Sequence, residues 1–516
     1  MKPMKLLYLF ALIFCLSSVN YAQRPFQLPE GLGIHNQMKY SFDLDKKREI
    51  FENWFRIDYR QGIFSAGIRL DVFQPNDPNP AVSRGKDRFA DIGFKYFSVD
   101  LHEDDYSVEF TAGNYYALIG KGMILKSYED RNLRIDNNLI GAKIAARYGD
   151  LKILALTGMP ENADQTRTDI LHAADLEYTV RISGSDYIRA GASYASNLPD
   201  PSTGASTTEM MGFRIQPSVW NFDFYGEAAF KKDQDIKDFA FTPDDNFVGA
   251  GYYGSATLFL GGFTGLFEYK YYDNIQFNSL DQTVIYNTPP ATRKDYSYAL
   301  LSRHPSPLYQ ANEKGFLTEL SYLFSETGTA TVCYSETKSL KGGSYIQTVQ
   351  GTNLPERIQY REVYGIVEEH LAEPWLMRFA AGYNEELTTD TKNITLVLDN
   401  HYNLDEVNSM RCIIEHQNTT DRFSGEQYYT DAVSLEYLRS PGYSFALVTE
   451  MRTSEPQIGR TIRNFWTYVQ AGYRLGEHTD ISLLVGSRQA GAICIGGVCR
   501  YEPEFEGVEL KMVTRL

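Results

Sequence analysis

Apolar and polar side chains alternate with a period of two from Lys39 to the last residue, and the alternating segments are joined by connections that are short and long in turn. Phe55, Ile57 and Tyr59 alternate with Arg56, Asp58 and Arg60. Trp375, Met377, Phe379, Ala381 and Tyr383 alternate with Arg378, Ala380, Gly382 and Asn384. Phe465, Val469, Ala471, Tyr473 and Leu475 share one face, and Gln470, Gly472 and Arg474 the other. A strand turns successive side chains to opposite faces, so each segment reads as a strand with one apolar and one polar side. A soluble sandwich would satisfy that much. The connections discriminate. Tight turns stand at Arg60-Gln61-Gly62, Gly149-Asp150, Ser183-Gly184-Ser185, Gly261-Gly262, Ser325-Glu326-Thr327-Gly328 and Ser440-Pro441-Gly442. Between them fall longer polar connections at 74–88, 196–208, 231–246, 278–313, 341–356, 452–463 and 488–503, with 388–391 the weakest of that set. Outer-membrane barrels have short periplasmic turns and long extracellular loops. A sandwich has no reason to keep that rhythm. The pattern predicts an all-β fold, a single transmembrane antiparallel β-barrel of about 24 strands (roughly 22 to 26), with both chain ends on the periplasmic side.

Composition enters as a check. Mean hydropathy is −0.36, yet the 516 residues include 37 Tyr and 30 Phe. Lipid-facing and lumen-facing residues that alternate along each strand produce that combination. Lys2 and Lys5 precede an apolar stretch, Leu6 to Leu16, too short to span a bilayer. Ser17, Ser18 and Ala22 follow, so residues 1–22 read as a cleaved signal peptide, cut between Ala22 and Gln23. Phe14 before Cys15 argues against a lipoprotein site. Residues 23–35 form a short periplasmic lead and 36–516 the barrel. That lead leaves no room for a separate plug domain of the TonB-dependent type. Loss of Lys2 and Lys5 would take the net charge from −16 to about −18, which disfavours nucleic acid as a partner. The implied location is the outer membrane of a Gram-negative cell, crossed many times.

Tyr115-Tyr116, Tyr271-Tyr272 and Tyr428-Tyr429 stand near strand ends, where rings fit the interfacial girdles of a barrel. In the last segment Leu510, Met512 and Leu516 share a face opposite Glu509, Lys511 and Arg515. It resembles the C-terminal strand signal that the outer-membrane barrel assembly machinery reads, although it ends on Leu rather than Phe. Outer-membrane lipid and that machinery are the partners this implies, with a further envelope protein left open.

Two stretches carry a family resemblance. One runs Ala112-Gly113-Asn114-Tyr115-Tyr116, Gly120-Lys121-Gly122, Leu125-Lys126-Ser127-Tyr128-Glu129-Asp130-Arg131 and Ile135-Asp136-Asn137-Asn138. The other runs Cys494-Ile495-Gly496-Gly497-Val498-Cys499-Arg500-Tyr501 and Glu504-Phe505-Glu506-Gly507-Val508. Together they resemble an uncharacterised family of Bacteroidetes outer-membrane β-barrels, described only as a domain of unknown function. The resemblance spans essentially the whole mature chain. It implies the fold and location and says nothing of a solute.

The segment from Tyr116 to Asn138 breaks the alternation and concentrates Lys121, Lys126, Glu129, Asp130, Arg131, Arg134 and Asp136. One reading folds it into the lumen as a constriction that shows both charge signs to a solute. The other leaves it an external loop whose charges pair among themselves. Arg56, Asp58, Arg60, Glu268, Lys270, Arg378, Arg474 and Arg515 are expected to face the lumen. Asp233, Asp235, Asp238, Asp244 and Asp245 match no defined calcium loop and read as solvated charge. Cys494 and Cys499 flank Ile-Gly-Gly-Val in the last external loop, where a small disulfide-closed loop is expected. No metal or cofactor is expected. His304-Pro305-Ser306 and His416 lack an identifiable third group, so the chain is not expected to be an enzyme. The function this supports is a porin-like channel for small solutes. The alternative is a non-conducting barrel that serves as a component or anchor of a secretion or surface-assembly complex.

Overall fold

The protein is seen here as a computed structural model that describes residues 28–73, 90–133, 135–162, 166–205, 207–233, 248–304, 308–340, 356–387, 390–453, 464–495, 498–502 and 504–516. The signal peptide and residues 23–27 of the short lead fall outside the described residues. The first strand, Leu32–Asp43, begins inside the expected lead.

Twenty-four strands form one sheet. Each pairs antiparallel with its sequence neighbours, and the first, Leu32–Asp43, pairs with both Arg48–Gln61 and the last, Phe505–Arg515, His35 lying opposite Arg515. The sheet is therefore closed and has no unpaired edge, as a strand structure in lipid requires. The number agrees with the 24 strands expected from the sequence. Turns at 62–63, 149–150, 184–185, 261–262, 324–328 and 440–442 lie at one end of the barrel together with both chain ends. The strand ends joined by the long connections lie at the other end. Three connections at that end, 44–47, 387–390 and 422–426, are short.

The two faces are inverted relative to a soluble protein. On Thr391–Asn403 the inward Thr391, Asn393, Thr395 and Asp399 are buried, while Ile394 and Leu396 on the outward face are 52% and 42% exposed. Phe64–Phe73 repeats this: Arg69 and Asp71 are buried and Ile68 and Leu70 exposed. Phe213, Phe379, Leu435 and Val469 continue the outward apolar surface around the wall. Apolar area of this extent is unfavourable in water, at about 25 cal/mol per Å², and is satisfied by lipid. Among the described residues no helix is long and apolar enough to cross a membrane; the crossing is made by strands.

Candidate functional site

Among the described residues, two chain segments fold inward from the long-connection end and cross the lumen of this barrel. The first is 116–138. It carries the apolar run Met123-Ile124-Leu125, which a solvated loop would not favour, and the inward wall positions opposite it are also apolar. Ile119, Met123, Ile124 and Leu125 pack in one buried cluster with Leu139, Leu156, Leu171, Ala195, Met210 and Tyr272 from the surrounding strands. Two short pairings, Ala117–Ile119 with Leu125–Ser127 and Glu129–Asp130 with Ile135–Asp136, shape the segment. Gly120 (φ +57°) and Gly122 (φ +87°) make the turn possible. A Cβ at Gly120 would lie 2.5 Å from the Glu227 carboxylate, and one at Gly122 2.7 Å from the Thr288 carbonyl oxygen.

The second segment is 274–311, and it contains most of the connection 278–313 that the sequence places outside as a polar loop. That expectation is corrected. Ile275, Phe277, Val284 and Tyr286 join the same buried cluster, while Tyr298 and Leu301 pack on Leu317, Cys333, Tyr364, Ala380, Val397 and Ile413 of the opposite wall. The signal was present: Ile275, Phe277, Val284, Tyr286, Tyr298, Leu300 and Leu301 make this stretch too apolar for a solvated loop. It lacks the period that identifies a strand, so only packing reveals where it lies.

The two segments are bonded to each other and to the wall. The Lys126 N–H donates to the Tyr286 carbonyl (2.7 Å) and the Thr288 N–H to the Gly122 carbonyl (2.9 Å). The Asn287 amide donates to the carbonyls of Met123 (2.9 Å) and Ile275 (2.7 Å). Glu415 on the wall accepts from the N–H groups of Ala299 (3.1 Å) and Leu300 (2.8 Å). Asp169 accepts from the Leu280 N–H at 2.7 Å. Arg303 pairs with Glu450 and Gln489 on the far side. These side-chain contacts tie the segments to most of the inner circumference.

The charges expected to form a constriction are distributed as follows. Glu129 and Asp136 converge on Arg69, at 3.1 and 2.6 Å, and Arg69 also grips Asp71 at 2.7 Å; Arg69 is 2% exposed. Asp136 further accepts from the Tyr116 hydroxyl at 2.9 Å. Arg131 bonds Glu129 (2.8 Å) and Gln37 (2.6 Å) and lies over the Trp54 ring. Asp130 accepts the Leu133 N–H at 2.9 Å. The Lys121 N–H donates to Glu227 at 2.9 Å, with its ammonium over Tyr225. The Lys126 ammonium lies over Tyr128. Burial lowers the Lys126 pKa, opposed by Asp130, and raises the Tyr128 phenol to about 12. Arg134 falls outside the described residues. The charges are thus mostly spent on holding the segment to the wall.

All eight residues expected on the lumen side lie on inward faces. Arg56 pairs with Asp58 (2.7 Å), Lys270 with Glu313 (2.7 Å), and Arg378 with Glu368 (3.0 Å) and Asp399 (3.4 Å). Glu268 accepts the Tyr253 hydroxyl. Near the short-turn end, Arg60 faces Asp100 (3.7 Å), and Arg474 and Arg515 share Asp480 (2.7 and 3.9 Å). Arg60 and Arg515 remain about two-thirds exposed there. Cys494 and Cys499 are cross-strand backbone partners in the hairpin Gly491–Ile495 with Val498–Glu502. The acidic run 235–245 lies outside the described residues. His304 is buried in the second segment; burial, then Arg303, lowers its pKa to about 3. His416 bonds Asp431 at 2.7 Å on the outward face, beside the Tyr429 ring.

Comparison with known proteins follows this geometry. The P pilus usher (PapC) translocation pore matches with 8% identity and TM-score 0.45, over 94% of this chain and 99% of that one. The siderophore receptor PirA from Pseudomonas aeruginosa matches with 10% identity and TM-score 0.44, over 95% of this chain and 81% of that one. The copper transporter OprC matches with 10% identity and TM-score 0.45, over 94% and 80%. Such scores carry no information on what this chain does. No curated protein sequence matches it. A family profile covers residues 4–516, and the chain belongs to that family, the Family of unknown function (DUF6029).

Proposed function

We propose that this chain is an outer-membrane channel through which small solutes pass by restricted diffusion, with segments 116–138 and 274–311 together setting the bore. The observation that carries this reading is a charged inner wall that stays exposed at the short-turn end, around Arg60, Arg474 and Arg515, and then meets two infolded segments. Those segments are held by side-chain bonds to the wall, notably at Arg69 and Glu415, and not by the barrel's own ladder. Charged, hydrogen-bonding walls favour water over lipid, and a narrowing built from wall-tethered loops sets a size limit. The apolar outer belt supports insertion in lipid, with the short turns and both chain ends in the periplasm. The C-terminal strand Phe505–Arg515, with Leu510 and Met512 on its outward face, is the element offered to the barrel assembly machinery. We assign the chain no catalytic step.

The dense bonding between the two segments favours a second reading, a lumen closed at rest in a barrel that anchors an envelope complex. Swelling of proteoliposomes in solutes of graded size separates the two. A channel admits the smallest solutes and excludes larger ones at a defined size. Folded barrel that admits none supports the anchor.

A further inference from the structure

On the inner wall, five consecutive strands contribute one charged residue each to a continuous row, with a two-residue step between Asp399 and Arg411. Glu368, Arg378, Asp399, Arg411 and Glu436 stand on Ile358–Ala372, Trp375–Glu386, Thr391–Asn403, Asn408–Asp421 and Gln427–Arg439. Register sets Glu368 opposite Arg378, Arg378 opposite Asp399, and Arg411 opposite Glu436. The sign alternates along the row. Arg378 reaches Glu368 at 3.0 Å and Asp399 at 3.4 Å. Arg411 grips both Asp399 oxygens at 2.9 and 2.8 Å and lies 3.8 Å from Glu436.

Facing this row is the part of the second infolded segment that contains Tyr296, Ser297 and Tyr298. The Tyr298 hydroxyl donates to Asp399 at 3.1 Å, and the Tyr296 ring packs on Tyr364 with centroids 4.6 Å apart. Between roof and wall lies a cavity of about 610 Å³. Small-molecule sites occupy roughly 300–1,000 Å³.

We infer that this cavity is a binding subsite for a neutral polyhydroxylated solute of short-oligosaccharide size. The inference rests on the channel reading and deepens it by naming the solute class. Each charge in the row already faces its opposite. An anionic or cationic ligand would have to break an ion pair to gain one. A hydroxyl avoids that, because it donates to a carboxylate and accepts from a guanidinium N–H at once, and an arginine has five N–H groups to share. Tyr298, which donates to Asp399, keeps its oxygen lone pairs as acceptors. Asp399 is fully buried and fixes both arginines, while the part-exposed Arg378 and Arg411 offer donors and the part-exposed Glu368 and Glu436 offer acceptors on either side of them, a set that suits the hydroxyls of a sugar chain.

The test is calorimetric titration of the purified barrel in a sugar-free detergent with maltotriose, triglycine and glucose 6-phosphate. Maltotriose is expected to bind saturably and the other two at least tenfold more weakly. Ser297→Trp fills the cavity from an exposed roof position without removing an ion pair, and is expected to weaken maltotriose at least tenfold while the barrel keeps its heat-modifiable gel mobility. Arg411→Lys, which keeps the charge and loses the two-pronged grip on Asp399, is expected to weaken it several-fold. Absence of saturable maltotriose binding, preference for the peptide or the sugar phosphate, or full affinity in Ser297→Trp overturns the inference. Binding is read without ion flow, so loss of the subsite and failure of the channel reading are separate results.

Discussion

Replacing Arg69 with Ala tests how the first segment is held. Arg69 is 2% exposed and serves three carboxylates: Asp71 on its own strand, at 2.7 and 2.9 Å, and Glu129 and Asp136 on the infolded segment, at 3.1 and 2.6 Å. Asp71 is fully buried and the Asp136 side chain 6% exposed, so without the guanidinium two carboxylates are left close together in a dry site. Removing one partner of a buried ion pair costs about 3–5 kcal/mol. The strand Phe64–Phe73 is held by full ladders to both neighbours. The segment 129–136 has no such ladder to the wall, so it is the part that moves. At ~1.4 kcal/mol per decade, its opened population should rise by roughly two to three and a half orders of magnitude. Hydrogen exchange read by mass spectrometry should show at least hundredfold faster exchange in peptides from 125–138, with Leu139–Tyr148 unchanged. Adding Asp71→Asn, Glu129→Gln and Asp136→Asn to the same chain should restore most of the protection. Unchanged exchange across 125–138 in Arg69→Ala would refute the reasoning.

Three further predictions concern the second infolded segment and the rim. His304 has its pKa lowered to about 3 by burial, whereas a freed imidazole titrates near 6.5. The docked state therefore binds fewer protons between those values, so docking is fully stable above about pH 6.5 and weakens as pH falls, by about 2 kcal/mol at pH 5. Exchange in 296–304, corrected for its intrinsic pH dependence, should rise below pH 6.5 and stay flat in His304→Gln; a flat wild-type profile contradicts this. Arg303→Ala removes a forked pair with Glu450 and should loosen the same peptide by about 1.5–3 kcal/mol, at least tenfold in exchange. Cys494 and Cys499 are backbone partners, so alkylation of unreduced mature protein in denaturant should label Cys333 and Cys412 alone, and reduction should add two labels; four labels before reduction would rule out the disulfide.

The barrel was legible because strands in lipid must alternate, and because turn chemistry such as Gly261-Gly262 marks one end of it. The ends of strands were less so. The short connections 44–47 and 422–426 lie at the long-connection end, where length alone would not place them. In the candidate site, Gly120, Gly122 and the charge cluster exposed segment 116–138 as irregular, but not what its charges grip: Arg69 lies some 60 residues away in sequence, and its partnership with Glu129 is a product of closure. The connection 278–313 reads as an outer loop in the sequence because burial without periodicity leaves no pattern. The row from Glu368 to Glu436 is equally hidden, since each member is one charge in an ordinary alternating strand and only the pairing of five strands brings them together.

The most direct measurement is single-channel recording of the folded protein in a planar lipid bilayer, wild type beside a chain carrying Arg69→Ala and Arg303→Ala. The account predicts small, discrete and reproducible steps in the wild type, and larger steps once both tethers are cut. Silence from inserted, folded protein in both chains, or steps of identical size, would contradict it.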